Sequence, residues 1–309
     1  MAWFIVLNRL APPPQAMDGA EPTIDDRARV IGADDRLRVF DTTQAPWRAV
    51  GQIKAWWGAQ GFSGTGVLVG SNQVLTAAHC VYRSDLGGWA DRVTFTPACN
   101  GGSHPFGVFG VVRLALPRAY VEGRGESHDI GLMTLDRDIG NESGAAMQVA
   151  EALPSQEAAG LSLRTAGYPA DKPAGEMYTV AGVVLPGAQA STPWEVDVDA
   201  SFGQSGSPIW MQDPMSGHPV VVAVLVAELD NGRANVAVPV DVGVLERLRA
   251  ADDVSPASIS SVVDVDGVLV GAPGVSDLLL AASPVPACGA GVWPMVLASW
   301  IGLLGFRRS

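Results

Sequence analysis

Between Val30 and Leu248 short apolar runs alternate with clusters of turn-forming residues. The runs read AVGQIKAW, TGVLVG, QVLTAA, RVTFT, GVFGVVRLAL, DIGLMTL, EMYTVAGVVL, WEVDVDA, PVVVAVLVAEL and ANVAVPV, and Gly, Pro, Asn and Asp punctuate the gaps. Short β-type runs at this rhythm predict an all-β fold, a barrel or a sandwich. Helical spacing recurs only in VGVLERLRA, Val242–Ala250, which predicts a short helix closing the folded region.

The flanks break this rhythm. Residues 1–29 begin with an apolar run from Ala2 to Leu7 that has no basic residue before it and Asn8 and Arg9 directly after it, a poor signal peptide. From Pro12 to Arg29 the chain is acidic, polar and proline-containing, so 1–29 reads as a leader or removable pro-segment, with the folded domain at 30–250. Residues 251–286 are small, acidic and proline-containing, the composition of a linker, with valines that can form a stray strand. Residues 287–309 read as a transmembrane or sorting segment. Gly289–Phe306 carries no charge and is followed by Arg307 and Arg308. As a helix it would run about 27 Å against a hydrocarbon core of roughly 30 Å. The arginines would then lie on the cytoplasmic side and the main domain outside. The alternative is a C-terminal core helix, against which the lack of any polar face argues.

Composition agrees with strands and turns: 48% hydrophobic against 17% charged, with 36 glycines and 22 prolines. The 309 residues suffice for one large or two small cores without disulfides. Net charge is -12 and the 20 basic residues form no stripe, so no nucleic-acid partner is expected. Three cysteines, Cys80, Cys99 and Cys288, make no disulfide scaffold, and without a CxxC or HExxH pair no metal site is expected. Cys80 and Cys99 either close one short loop in an oxidising compartment or stay as buried thiols.

Candidate chemistry rests on a few residues. The histidines are His79, His104, His128 and His218. His79 ends QVLTAAHC, where small residues let the chain turn and bring an imidazole to a domain surface. Asp129, in SHDIGLMTL, stands where a strand begins, the place of a turn residue or of a buried carboxylate that accepts an imidazole proton. Ser205 lies in FGQSGSPIW between Gly203 and Gly206. Glycines there let the N–H groups of 203–205 face one concavity, an oxyanion hole formed by Gly203 and Ser205. Each motif alone is commonplace. In the order His79, Asp129, Ser205, fifty and seventy-six residues apart, they match the chymotrypsin-type triad and neither the subtilisin nor the α/β-hydrolase order.

These motifs, with VIGADDRLRVFDTTQAPWRAV, GTGVLVGSNQVLTAAHC, ACNGGSHPFG and AGYPADKPAG in the same chain order, resemble the bacterial glutamyl endopeptidases, a branch of the trypsin-like serine proteases. The resemblance runs from about Val30 to Val240. It implies two orthogonal six-stranded β-barrels with the active site between them, His79 as base, Asp129 as its orienter, Ser205 as nucleophile and no cofactor. It also implies a disulfide from Cys80 to a position near Gly64, where this chain has no cysteine. Gln204 stands where ordinary trypsin relatives carry aspartate.

The substrate pocket departs from that branch. Leu225 occupies the place of the carboxylate-reading histidine and Ala200 that of a hydroxyl residue. An unpaired buried carboxylate is heavily penalised, so with Phe202 and Leu225 the pocket is expected to take apolar or small residues before the cut, not glutamate. Asp199 offers an alternative anchor for a basic side chain. The expected protein is an exported, monomeric endopeptidase acting on protein or peptide substrates, attached to a membrane through its C-terminus, whose SPVPA stretch and apolar tail resemble a PEP-CTERM-type sorting signal. Rival readings are a catalytically silent protease-fold module that binds peptides and an esterase using the same triad.

Overall fold

In this computed structural model the described residues are 4–6, 30–123, 125–139, 146–153, 158–189, 192–228, 234–250, 262–263 and 269–270. Six strands form the first barrel: β1 (Val50–Trp57), β2 (Gln60–Leu68), β3 (Gln73–Thr76), β4 (Arg92–Pro97), β5 (Phe109–Pro117) and β6 (Gly131–Leu135). Their order is β5-β6-β3-β2-β1-β4, and β4 pairs back onto β5 to close the ring. The second barrel contains β7 (Ser162–Gly167), β8 (Tyr178–Val184), β9 (Trp194–Asp197), β10 (Pro208–Gln212), β11 (Pro219–Glu228) and β12 (Asn235–Pro239). It runs β11-β10-β7-β8-β9-β12 and closes through β11 and β12. Of the two architectures the sequence pattern allows, the fold is the pair of barrels.

Side chains explain both rings. In the first, Ile53, Leu75, Phe95, Leu114, Leu132 and Met133 are buried; in the second, Trp194, Val196, Ile209, Val222 and Leu225 are. Each large apolar side chain so buried stabilises by roughly 1.5–3 kcal/mol relative to exposure. Full closure leaves neither barrel an unpaired central edge. Short strands decorate the rings: Phe4–Val6 pairs with β5, Leu37–Arg38 with β8, and Gln148–Val149 runs parallel to β11.

The barrels are joined by specific contacts. Trp47, just before β1, meets Trp210 of β10 edge-on at 5.7 Å between ring centroids. The Tyr168 hydroxyl donates to the Val50 carbonyl at 3.3 Å. The expected closing helix spans Val242–Arg249, capped by Asp241, whose side chain accepts the Val244 N–H at 2.8 Å. Its Leu245 and Leu248 are buried in a cluster shared with first-barrel residues, and Arg249 Nε donates to Gln73 Oε1 at 2.9 Å. This helix thus clamps the first barrel to the second.

Apart from Phe4–Val6, the proposed leader lies outside the described residues, as does the segment 287–309. Within the linker, Val262–Val263 and Leu269–Val270 pair antiparallel. No helix among the described residues is long and apolar enough to cross a membrane.

Candidate active site

Strand β3 runs through the small residues Ala77 and Ala78 into a single 3-10 turn, Ala78–Cys80, which carries His79. The 3-10 turn Glu126–His128 delivers Asp129 just ahead of β6, the antiparallel neighbour of β3. Pairing of the two strands therefore brings together residues that the sequence holds fifty positions apart. His79 Nδ1 lies 2.6 Å from Asp129 Oδ2, and the His79 backbone N–H donates to Asp129 Oδ1 at 3.0 Å. Both side chains are buried, where a charge-assisted hydrogen bond is strong and water does not compete. The bond fixes which ring nitrogen carries the proton and leaves Nε2 as the base.

Ser205 comes from the second barrel, on the turn between β9 and β10. Gly203 and Gly206 both have φ of +85°, the left-handed region that favours glycine. Space forbids anything larger: a Cβ on Gly206 would lie 2.1 Å from the Thr65 carbonyl oxygen, and one on Gly203 would lie 2.3 Å from that of Tyr168. The N–H groups of Gln204 and Gly206 donate to the carbonyls of Ser201 and Leu225. Those of Gly203 and Ser205 meet no acceptor among the described residues. Two N–H groups left over on one tight turn are what an oxyanion requires.

Thr65 of β2 ties this turn to the first barrel. Its N–H donates to the Ser205 carbonyl at 2.8 Å, its hydroxyl donates to that of Gly203 at 2.7 Å, and the same hydroxyl accepts the Tyr168 N–H at 3.1 Å. The turn is thus referenced to the barrel that holds His79 and Asp129. Ser205 Oγ is buried and has no hydrogen-bond partner among the described residues, so the serine–histidine bond is open in this state. Such contacts commonly tighten only around substrate.

The four pocket candidates divide. Ala200 and Leu225 are fully buried in one apolar cluster with Trp194 and Val198. Phe202 is half-buried, and its carbonyl accepts the Ala170 N–H at 2.7 Å. Asp199 is buried, but it faces the chain's own N-terminal strap: its two oxygens accept the N–H groups of Ile31 at 2.6 Å and Asp35 at 2.9 Å. Asp35, Asp197, Asp199 and Ile31 line a cavity of about 120 Å³ there. Partial loss of solvent at the cavity edge, and then the neighbouring Asp199, push the Asp35 carboxyl above its usual value.

Of the two alternatives for Cys80 and Cys99, the structure has the buried free thiols and no bridge between them. Cys80 packs against Gly64, its Sγ 3.5 Å from the Ser205 carbonyl, whereas Cys99 sits beside Gly101 and Gln52. Burial pushes the Cys99 thiol up to about 11. Among the described residues no group of His, Cys, Asp and Glu could hold a metal ion.

One residue of the site was not legible in the sequence. The buried guanidinium of Arg36 donates to Asp34, to Asp171 and, at 3.0 Å, to Gln204 Oε1, beside the nucleophile candidate. Burial opposes this charge, but the hydrogen bonds it donates to Asp34 and Asp171 outweigh it and hold Arg36 protonated above its ordinary value.

Residues 38–244 match the family described as Trypsin. A glutamyl endopeptidase of Bacillus licheniformis is 33% identical over 183 residues, covering 59% of this chain and 55% of that protein. An extracellular metalloprotease of Bacillus subtilis is 30% identical over 195 residues, covering 62% of this chain and 60% of that protein. The chain thus spans less than two thirds of the length of these relatives. Among solved structures, a Glu endopeptidase in complex with MPD shares the fold with a TM-score of 0.60 at 23% identity, over 72% of this chain and 98% of that one.

Proposed function

Since the chain belongs to the trypsin family, we propose that it is a serine endopeptidase, with Ser205 as nucleophile, His79 as general base and Asp129 as the group that orients the base. The observation that carries this reading is the buried His79–Asp129 pair at 2.6 Å in one barrel, tied through Thr65 to the Ser205 turn of the other. In the reaction Ser205 Oγ bonds to the peptide carbonyl carbon while its proton passes to His79 Nε2. The carbonyl oxygen, now negative, is held by the N–H groups of Gly203 and Ser205. The amine leaves with the proton from His79, and water activated by the same imidazole hydrolyses the acyl-serine.

Fully buried Ala200 and Leu225, with half-buried Phe202, support an apolar or small residue before the cut. The relative named as extracellular supports export. Attachment through 287–309 is part of the proposal and is tested by the partition of the full chain between membrane and soluble fractions.

The open Ser205 hydroxyl favours a second reading, a silent module that binds peptides. An organophosphonate separates the two. The endopeptidase is phosphonylated at Ser205, shown by mass, and Ser205→Ala is not; an unlabelled native protein supports the silent module.

A further inference from the structure

The guanidinium of Arg36 is fully inside the protein, with none of its side chain exposed. It has five N–H donors in a rigid fork, and five hydrogen bonds meet them. Nε and Nη2 donate to the two oxygens of Asp34 at 2.9 and 3.0 Å. Nη1 and Nη2 donate to the two oxygens of Asp171, the first at 3.1 Å. The remaining bond, from Nη1, goes to Gln204 Oε1 at 3.0 Å. Lys172 adds a second cation on Asp34 at 2.6 Å.

Each partner belongs to a different part of the site. Asp34 lies on the N-terminal strap, which Asp199 holds by the N–H groups of Ile31 and Asp35. Asp171 lies on the loop whose Tyr168 carbonyl crowds Gly203 and whose Ala170 N–H binds Phe202. Gln204 is the residue between Gly203 and Ser205. Its amide is wholly buried, and its Nε2 has no partner among the described residues. The bond from Arg36 is therefore what orients this side chain. Without it, the buried amide oxygen too would lose its partner, and the side chain would pull the turn toward other groups.

We propose that Arg36 is a positioning residue for the oxyanion turn: through Gln204 and Asp171 it holds the N–H groups of Gly203 and Ser205 in register with the nucleophile. The strap Ile31–Arg36 is then part of the reaction centre, and a side-chain cation, present whatever happens at the chain terminus, sets the turn. The proposal rests on the serine endopeptidase reading for its catalytic consequence, but its structural half stands apart from activity. Lysine cannot reproduce the role, because one ammonium has three donors and no planar fork.

The test uses the full chain and the variants Arg36→Ala, Arg36→Lys and Gln204→Ala. Loss of one oxyanion donor costs on the order of 10²–10³ in kcat, so a loosened turn in Arg36→Ala is expected to lower kcat by about 10- to 100-fold. KM should stay within about twofold, the pattern of a group acting on the transition state. Arg36→Lys should fall between, and added guanidinium should restore part of the Arg36→Ala rate. In parallel, hydrogen exchange at the Gln204 and Gly206 amides should quicken at least tenfold in Arg36→Ala while β2 keeps its protection.

A folded Arg36→Ala with native kcat and native exchange in the turn overturns the proposal. If that variant does not fold, Gln204→Ala decides: it keeps the Asp34–Arg36–Asp171 group, and an unchanged kcat and unchanged exchange overturn the proposal equally. A native protein without Ser205-dependent turnover, but with exchange that quickens on loss of Arg36, defeats the endopeptidase reading and leaves the positioning role supported.

Discussion

Both oxygens of Asp129 are taken up by His79, one by the ring Nδ1 at 2.6 Å and the other by the backbone N–H at 3.0 Å. The carboxylate thus fixes the imidazole's tautomer and the 3-10 turn that carries it. An asparagine has one acceptor oxygen and must turn an NH2 toward one of these two donors. Asp129→Asn is expected to keep the fold and to lower kcat on the order of 10⁴-fold, because the histidine takes the wrong tautomer. A loss below tenfold in a folded variant would remove Asp129 from the mechanism.

The glycine before the serine's outgoing strand is the tightest point of the turn. A methyl on Gly206 would meet the Thr65 carbonyl oxygen at 2.1 Å and Thr76 Oγ1 at 2.2 Å, at a φ of +85°. Overpacking and left-handed strain together predict that Gly206→Ala costs roughly 2–5 kcal/mol. A urea midpoint equal to that of the native chain contradicts the geometry.

Much of this architecture was legible in the runs themselves. The stretches AVGQIKAW, RVTFT, WEVDVDA and ANVAVPV overlap β1, β4, β9 and β12, and VGVLERLRA overlaps the closing helix. Strands β7 and β10 were missed because SLRTAG and PIWMQ hold too few consecutive apolar residues, although Leu163, Ala166, Ile209 and Trp210 are buried. In the site, local motifs nominated His79, Asp129 and Ser205. Arg36 was hidden within DDRLR, a charged stretch with no periodicity that singles it out, and its bond to Gln204 spans 168 positions. Asp199 was assigned to the pocket, yet its carboxylate meets strap N–H groups up to 168 residues away. Long-range polar partners leave no periodicity to read.

Gly64 faces Cys80 as a missing partner would. A Cβ built there lies 2.8 Å from Cys80 Sγ and 3.5 Å from its Cβ, close to disulfide dimensions. Gly64→Cys is expected to form a 64–80 bridge under oxidising conditions. A loop of this size is worth about 3 kcal/mol, read as a rise in Tm that a reductant reverses. Persistent free thiols at both positions by mass labelling would refute it.

The strap's carboxylates titrate in opposite senses. Hydrogen bonding to Arg36 holds Asp34 below its ordinary range, and for Asp171 burial works the other way but is outweighed by the bonds from Arg36 and Ser201. Groups with lowered values stabilise the fold above the unfolded carboxylate pKa of about 3.9, and that contribution is lost as pH falls through their lower folded values. Asp35 is raised, so its contribution is present in acid and is lost as pH rises through its folded value. Asp35→Asn should therefore raise Tm at pH 7 by on the order of a degree, since the group is exposed and screened. The gain should vanish near pH 3. A gain that grows toward acid would reverse the assignment.

The central claim is that Ser205, His79 and Asp129 together cleave peptide bonds. It is tested most directly by exposing a diverse peptide library to the full chain and to Ser205→Ala, and reading the residue before each cut. Cleavage after apolar or small residues that disappears in Ser205→Ala is the predicted result. Cleavage that survives the substitution, or no cleavage by the native chain, contradicts the claim.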